Sequence, residues 1–129
     1  MKFNISVWAI LLGILMLSCG KNEREELEKD AQLMAVLECE ARQLKEERFR
    51  AANDIRLMED SLAKHHIALT DVQSHQMDSV KNAYTLRTGQ LADKITKTMD
   101  SLFAVSYQTV EQRQTFDVAT EQNLRGVCQ

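Results

Sequence analysis

The stretch LEKDAQLMAVLECEARQLKEERFRAANDIRLMEDSLAKHHIAL, Leu27–Leu69, decides how the rest of the chain is read. Counted in sevens, one set of positions holds Leu27, Met34, Ala41, Arg48, Ile55, Leu62 and Leu69. The set three residues later holds Asp30, Leu37, Leu44, Ala51, Met58 and His65, with Val72 just beyond. Eleven of these fourteen residues are apolar, and three-four spacing gathers them on one narrow helical stripe, the seam of a coiled coil. Glu40 with Lys45 and Glu38 with Arg42 place solvated charge beside it. Val36, Cys39, Phe49, Leu57 and Ile67 fall off the stripe. A two-stranded coil would expose them, so a second helix or a partner is expected on that flank, a bundle being the simpler arrangement.

Working outward, the 129-residue chain has no proline and four glycines. Proline and glycine are the residues that most disfavour a helix interior, and Ala, Leu, Glu, Gln, Lys, Arg and Met are its best formers. Few segments alternate with period two, and β-branched and aromatic residues never cluster between turn signals, as they would in strands. The expected fold class is therefore all-α, an elongated coiled-coil-like helical hairpin or a small helical bundle. After the seam the register breaks between Thr70 and Gln76, and a weaker stripe runs through Met77, Tyr84, Leu91, Ile95, Leu102, Val105, Phe116 and Ala119. Thr88, Thr98, Thr109 and Gln112 dilute it. Thr70 and Gln73 have the spacing of a capping box, where a new helix can start. Arg87-Thr88-Gly89 and Arg125-Gly126 have the pattern of helix stops. The boundaries expected are a long helix over residues 21–69, or on to 87, and a return helix over residues 90–124. At about 1.5 Å per residue the first would reach ~70–100 Å, a rod that spans or clasps and does not enclose a pocket.

The first twenty residues differ in kind. Lys2 is their one charged side chain, Val7–Leu17 is an uncharged apolar run, and Ser18-Cys19-Gly20-Lys21 follows. A short basic start, a short apolar run and a small residue before a cut make a secretory signal. A bilayer needs ~20 apolar residues for a helical crossing, more than this run supplies. Met16-Leu17-Ser18-Cys19 resembles the lipobox of bacterial lipoproteins, with Met16 and Leu17 standing where leucine and a small residue are commoner. That resemblance covers residues 1–20 alone. It implies a signal peptide over residues 1–18, a mature helical domain over residues 19–129, and a diacylglycerol on the Cys19 thiol. It also implies fatty acylation of the new amine, as with palmitate. Gly20 in place of an acidic residue implies the outer membrane, with the domain facing the periplasm or exposed at the cell surface. Each buried methylene adds about 0.8 kcal/mol, so two or three chains on one residue hold a protein firmly where one does not.

The net charge is −3, and without Lys2 fifteen basic side chains stand against nineteen acidic ones. Both signs are interspersed, unlike the basic face of a nucleic-acid binder. His65, His66 and His75 lie around the register break with Asp71, but a zinc site needs three or four ligands converging on one point. On a continuous helix His65 and His66 diverge, so no metal is expected. Nothing resembles a glycine-rich nucleophile elbow or a phosphate-cradling loop, so no catalysis, cofactor or small-molecule substrate is expected either.

With Cys19 assigned to lipid, Cys39 and Cys128 remain, an even number that invites a disulfide in an exported protein. A hairpin turn near Tyr84–Gly89 would bring them roughly opposite each other, and free thiols or an intermolecular bond are equally open. The functional expectation is a non-enzymatic, lipid-anchored helical spacer or protein-interaction module of the cell envelope. Its expected partners are the membrane, through lipid at Cys19, and a protein or second copy, through the coiled-coil seam. The alternative is a holdase-like or cargo-binding helical protein with apolar clefts between splayed helices.

Overall fold

A computed structural model describes the backbone of residues 5–129 and the side chains of residues 22–129. The fold is all-α. Three helices pack together, α1 (Ile5–Lys64), α2 (Asp71–Val105) and α3 (Val110–Val127), and there is no strand among the described residues.

The α1 seam packs onto α2. Met34, Leu37 and Leu44 are buried in one apolar cluster with Leu91 of α2. The pairing is antiparallel, since Arg87 reaches Glu47 at 3.2 Å while Tyr84 and Ile95 sit further toward the two ends of the same interface. Off the seam, α3 lies against the lower part of α1. Its Phe116 and Leu124 are each 2% exposed, Phe116 against Ala31 and Met34 and Leu124 against Ala35 and Cys39. Five α1 residues from Ala31 to Cys39 are buried, Leu44 follows, and no α1 residue beyond Leu44 is buried.

The helix boundaries depart from those expected. The first helix stops at Lys64, not at Leu69 or Arg87, and the return begins at Asp71, not near residue 90. The stop has no glycine. His66 takes a left-handed φ of 53°, its amide donates to the Ala63 carbonyl at 3.1 Å, and the Ile67 amide donates to that of Leu62 at 2.9 Å. This pair of bonds satisfies two carbonyls that a helix end leaves open, the arrangement usually built around a C-terminal glycine. After the link of residues 65–70, α2 starts with the expected box: Thr70 Oγ1 accepts from the Gln73 amide at 3.3 Å, and Gln73 Oε1 accepts from the Thr70 amide at 3.0 Å.

Gly89 ends nothing; it lies inside α2. A methyl group added there would meet open space within 4 Å, so this glycine answers no packing demand and costs the helix only its roughly 1 kcal/mol of propensity. The expected return helix over residues 90–124 is in fact two helices. The break comes at Ser106–Thr109, where Thr109 and Gln112 repeat the box of Thr70 and Gln73. Thr109 Oγ1 accepts from the Gln112 amide at 3.2 Å, and Gln112 Oε1 accepts from the Thr109 amide at 3.0 Å.

Candidate functional site

The turn at Tyr107–Thr109 sends α3 back across the base of the hairpin, and several contacts fix its course. The Tyr107 hydroxyl donates to Asp30 Oδ2 at 3.0 Å. Burial, with the Asp30 hydrogen bond and the negative charges of Asp30 and Glu26 adding to it, pushes this phenol well above its ordinary value, because each disfavours the phenolate. Phe116 meets Phe103 edge-on, with ring centres 5.9 Å apart, and lies 4.6 Å from the Tyr107 ring. Arg113 covers Phe103 at 4.8 Å and donates to the Tyr107 carbonyl at 2.9 Å. At the far end Asn123 Nδ2 donates to Glu28 at 3.1 Å.

The structure joins Cys39 to Cys128 in a disulfide, with their Cα atoms 5.5 Å apart. Their proximity does not arise from a turn near Tyr84–Gly89. It arises because α3 doubles back and ends beside the middle of α1, where Cys128 follows the last helical residue. Of the off-seam apolar residues, α3 covers Cys39 and leaves Val36, Phe49, Leu57 and Ile67 exposed.

By length at ~1.5 Å per residue, the 35-residue α2 reaches ~53 Å and the 18-residue α3 ~27 Å. The third helix therefore backs only the lower half of the hairpin. Past it, a groove of ≈ 920 Å³ opens between α1 and α2. Ala41, Leu44, Leu91, Ala92 and Ile95 form its floor, with Ala52 and Thr88 at the margins. Ala41, Ala52, Thr88 and Ala92 in this lining are small, and a seam position that should be apolar is Arg48. Phe49 lines the groove and remains 75% exposed. Arg42, Lys45, Arg48 and Arg50 rim it. Glu46 is the one acidic lining residue and pairs with Arg50 at 3.3 Å. Arg42, Lys45 and Arg48 have no ion pair among the described residues.

His65 and His66 lie in the α1–α2 link, His75 lies in the first turns of α2, and all three are exposed, as is Asp71. No group of three metal-ligating side chains comes together among the described residues. The lipobox residues Met16–Cys19 lie outside the residues whose side chains are described. Among the described residues, no helix is long and apolar enough to cross a membrane.

The groove was not singled out from sequence, although Phe49 off the seam and Arg48 on it are its signals. No family model matches this chain, and no curated protein or solved structure is significantly similar to it.

Proposed function

We propose that this protein is a lipid-anchored, non-enzymatic helical spacer and protein-interaction module of the cell envelope. It would be held at the outer membrane through Cys19 and present its three-helix domain to the periplasm. The observation that carries the interaction half is the open groove beside Phe49. Contiguous exposed apolar surface with a polar rim marks contact sites on soluble domains. The anchoring half rests on the resemblance of Met16–Cys19 to a lipobox. The seam is occupied by α2, which moves the proposed partner surface from the seam to the flank above α3.

The closed core between Ala31 and Leu44 supports a spacer over a holdase, because a client-binding protein needs clefts that open. The groove also gives the holdase reading a specific place, so the two are separated by experiment. An apolar fluorescent dye should report one site, abolished by Phe49→Asp, on the spacer reading, and many weak sites on the holdase reading. For the anchor, cells expressing the chain are fed labelled fatty acid. The label should enter the native protein and be absent from Cys19→Ala; label retained in the variant sinks the lipid assignment.

A further inference from the structure

We infer that the groove between α1 and α2 seats an amphipathic helix from a partner protein, one that carries carboxylates along the edges of its apolar face. This rests on the interaction-module reading above and names the chemistry of its partner.

Three observations select that occupant. The first is continuity with an existing helix interface. Ala41, Leu44, Leu91 and Ile95 belong to, or pack against, the same apolar cluster that Phe116 of α3 covers lower down. The groove is thus the unfinished upper part of a surface that already accepts one helix. The second is length. The α1 lining runs from Ala41 to Ala52, about 18 Å at ~1.5 Å per residue, which matches about three helical turns. Helix-in-groove recognition uses anchors at such three- and four-residue spacings. The third is charge. Arg42, Lys45 and Arg48 rim the groove without ion pairs among the described residues, and its lone carboxylate, Glu46, is already bonded to Arg50. A segment with acidic flanks finds complementary potential there.

Charge argues against a second copy, and shape against a lipid surface. Two copies meeting groove to groove would bring their cationic rims together, and like charges across an interface are costly. An anionic lipid surface is flat, whereas the floor lies between two helices and Phe49 projects beside it.

The test uses the full chain with its disulfide intact, in neutral detergent, and two synthetic peptides of about four helical turns. They share one leucine face; one carries glutamate at the flanking positions and the other lysine. The glutamate peptide should bind at least tenfold more tightly than the lysine peptide and weaken several-fold between low and high salt. The triple charge reversal Arg42→Glu, Lys45→Glu, Arg48→Glu should invert the preference. Phe49→Asp should abolish binding of both peptides, and because Phe49 is exposed this variant should keep its circular dichroism and melting temperature. Equal binding of the two peptides, a preference unmoved by charge reversal, or tighter binding to anionic vesicles than to the glutamate peptide would each overturn the inference.

A photocrosslinking residue placed in cells at position 49, and at exposed positions outside the groove such as 36 and 57, separates this failure from failure of the broader reading. Crosslinks to protein at position 49 that are lost on charge reversal support the inference. Crosslinks confined to positions 36 or 57 overturn it and leave an interaction module that works through another face. Absence of protein crosslinks at every position overturns both.

Discussion

Removing the Cys39–Cys128 bond, by the double substitution Cys39→Ala and Cys128→Ala, should cost the fold a large part of its stability. The two residues are 89 positions apart. In the chain-entropy model a loop of that size withdraws about 15 cal/mol/K from the unfolded ensemble, or roughly 4–5 kcal/mol at 25 °C, less any strain in the folded state. Small domains have ~5–15 kcal/mol of total stability, so a third or more of it is at stake. At about 4 °C per kcal/mol for a chain near this size, the midpoint should fall by roughly 15–20 °C. The structure also locates the loss. Leu124 and Phe116 still pack on α1, and Tyr107 still bonds Asp30, so the base of α3 should remain docked. The last turn, from Arg125 to Cys128, loses its covalent tie and should exchange its amides fastest. Thermal melts followed by circular dichroism, with hydrogen exchange resolved along α3, test both halves. A double variant that melts within a few degrees of the oxidised protein, with unchanged protection in the last turn of α3, would refute the reasoning.

Three further outcomes follow from single residues. His66→Gly should stabilise the fold by about 1 kcal/mol, since a side chain in the left-handed region costs roughly 1–2 kcal/mol that glycine does not incur; a lower urea midpoint in the variant would contradict the assigned stop. Thr120 is 5% exposed and its hydroxyl has no hydrogen-bond partner among the described residues. Thr120→Val keeps the shape, removes the unsatisfied group and should raise stability by roughly 1 kcal/mol, visible as a higher urea midpoint at unchanged slope. Tyr107 has its phenol pushed up by burial and by Asp30, so the folded state holds the proton more tightly than the unfolded chain. The resulting stability is complete below the unfolded value near pH 10 and is lost as the pH rises above it. Denaturation between pH 8 and 11 should show a steeper alkaline loss in the native protein than in Tyr107→Phe; parallel curves would exclude the linkage.

Much of the fold is legible in local sequence. The heptad positions Leu27, Met34, Leu37, Ala41 and Leu44 lie in or against the core cluster, because apolar periodicity is a local property and helix propensity needs no tertiary partner. The Thr70–Gln73 box was readable for the same reason. Thr109 and Gln112 carried an identical signal, yet they stood out as polar interruptions of an apolar stripe, and the third helix went unseen. Gly89 misled in the other direction: glycine permits a stop but does not impose one, and Leu91 and Ile95 beyond it gain burial against α1 only if α2 continues. At His66 the stop was invisible because the residue that usually announces the left-handed turn is absent.

Local periodicity alone determined that this chain is helical, that α1 presents an apolar stripe, and that Phe49 and Cys39 lie off it. Only the tertiary structure decided what covers that flank. Whether Cys39 meets Cys128 depends on where the chain turns twice, and whether Phe49 is buried depends on α3 ending half-way along the hairpin. Both are matters of relative helix length and direction, set by the sum of contacts such as Phe116 on Met34 and Leu124 on Ala35. No window of neighbouring residues contains that sum, so the groove with its basic rim emerges only when α1 and α2 are laid side by side and α3 runs out.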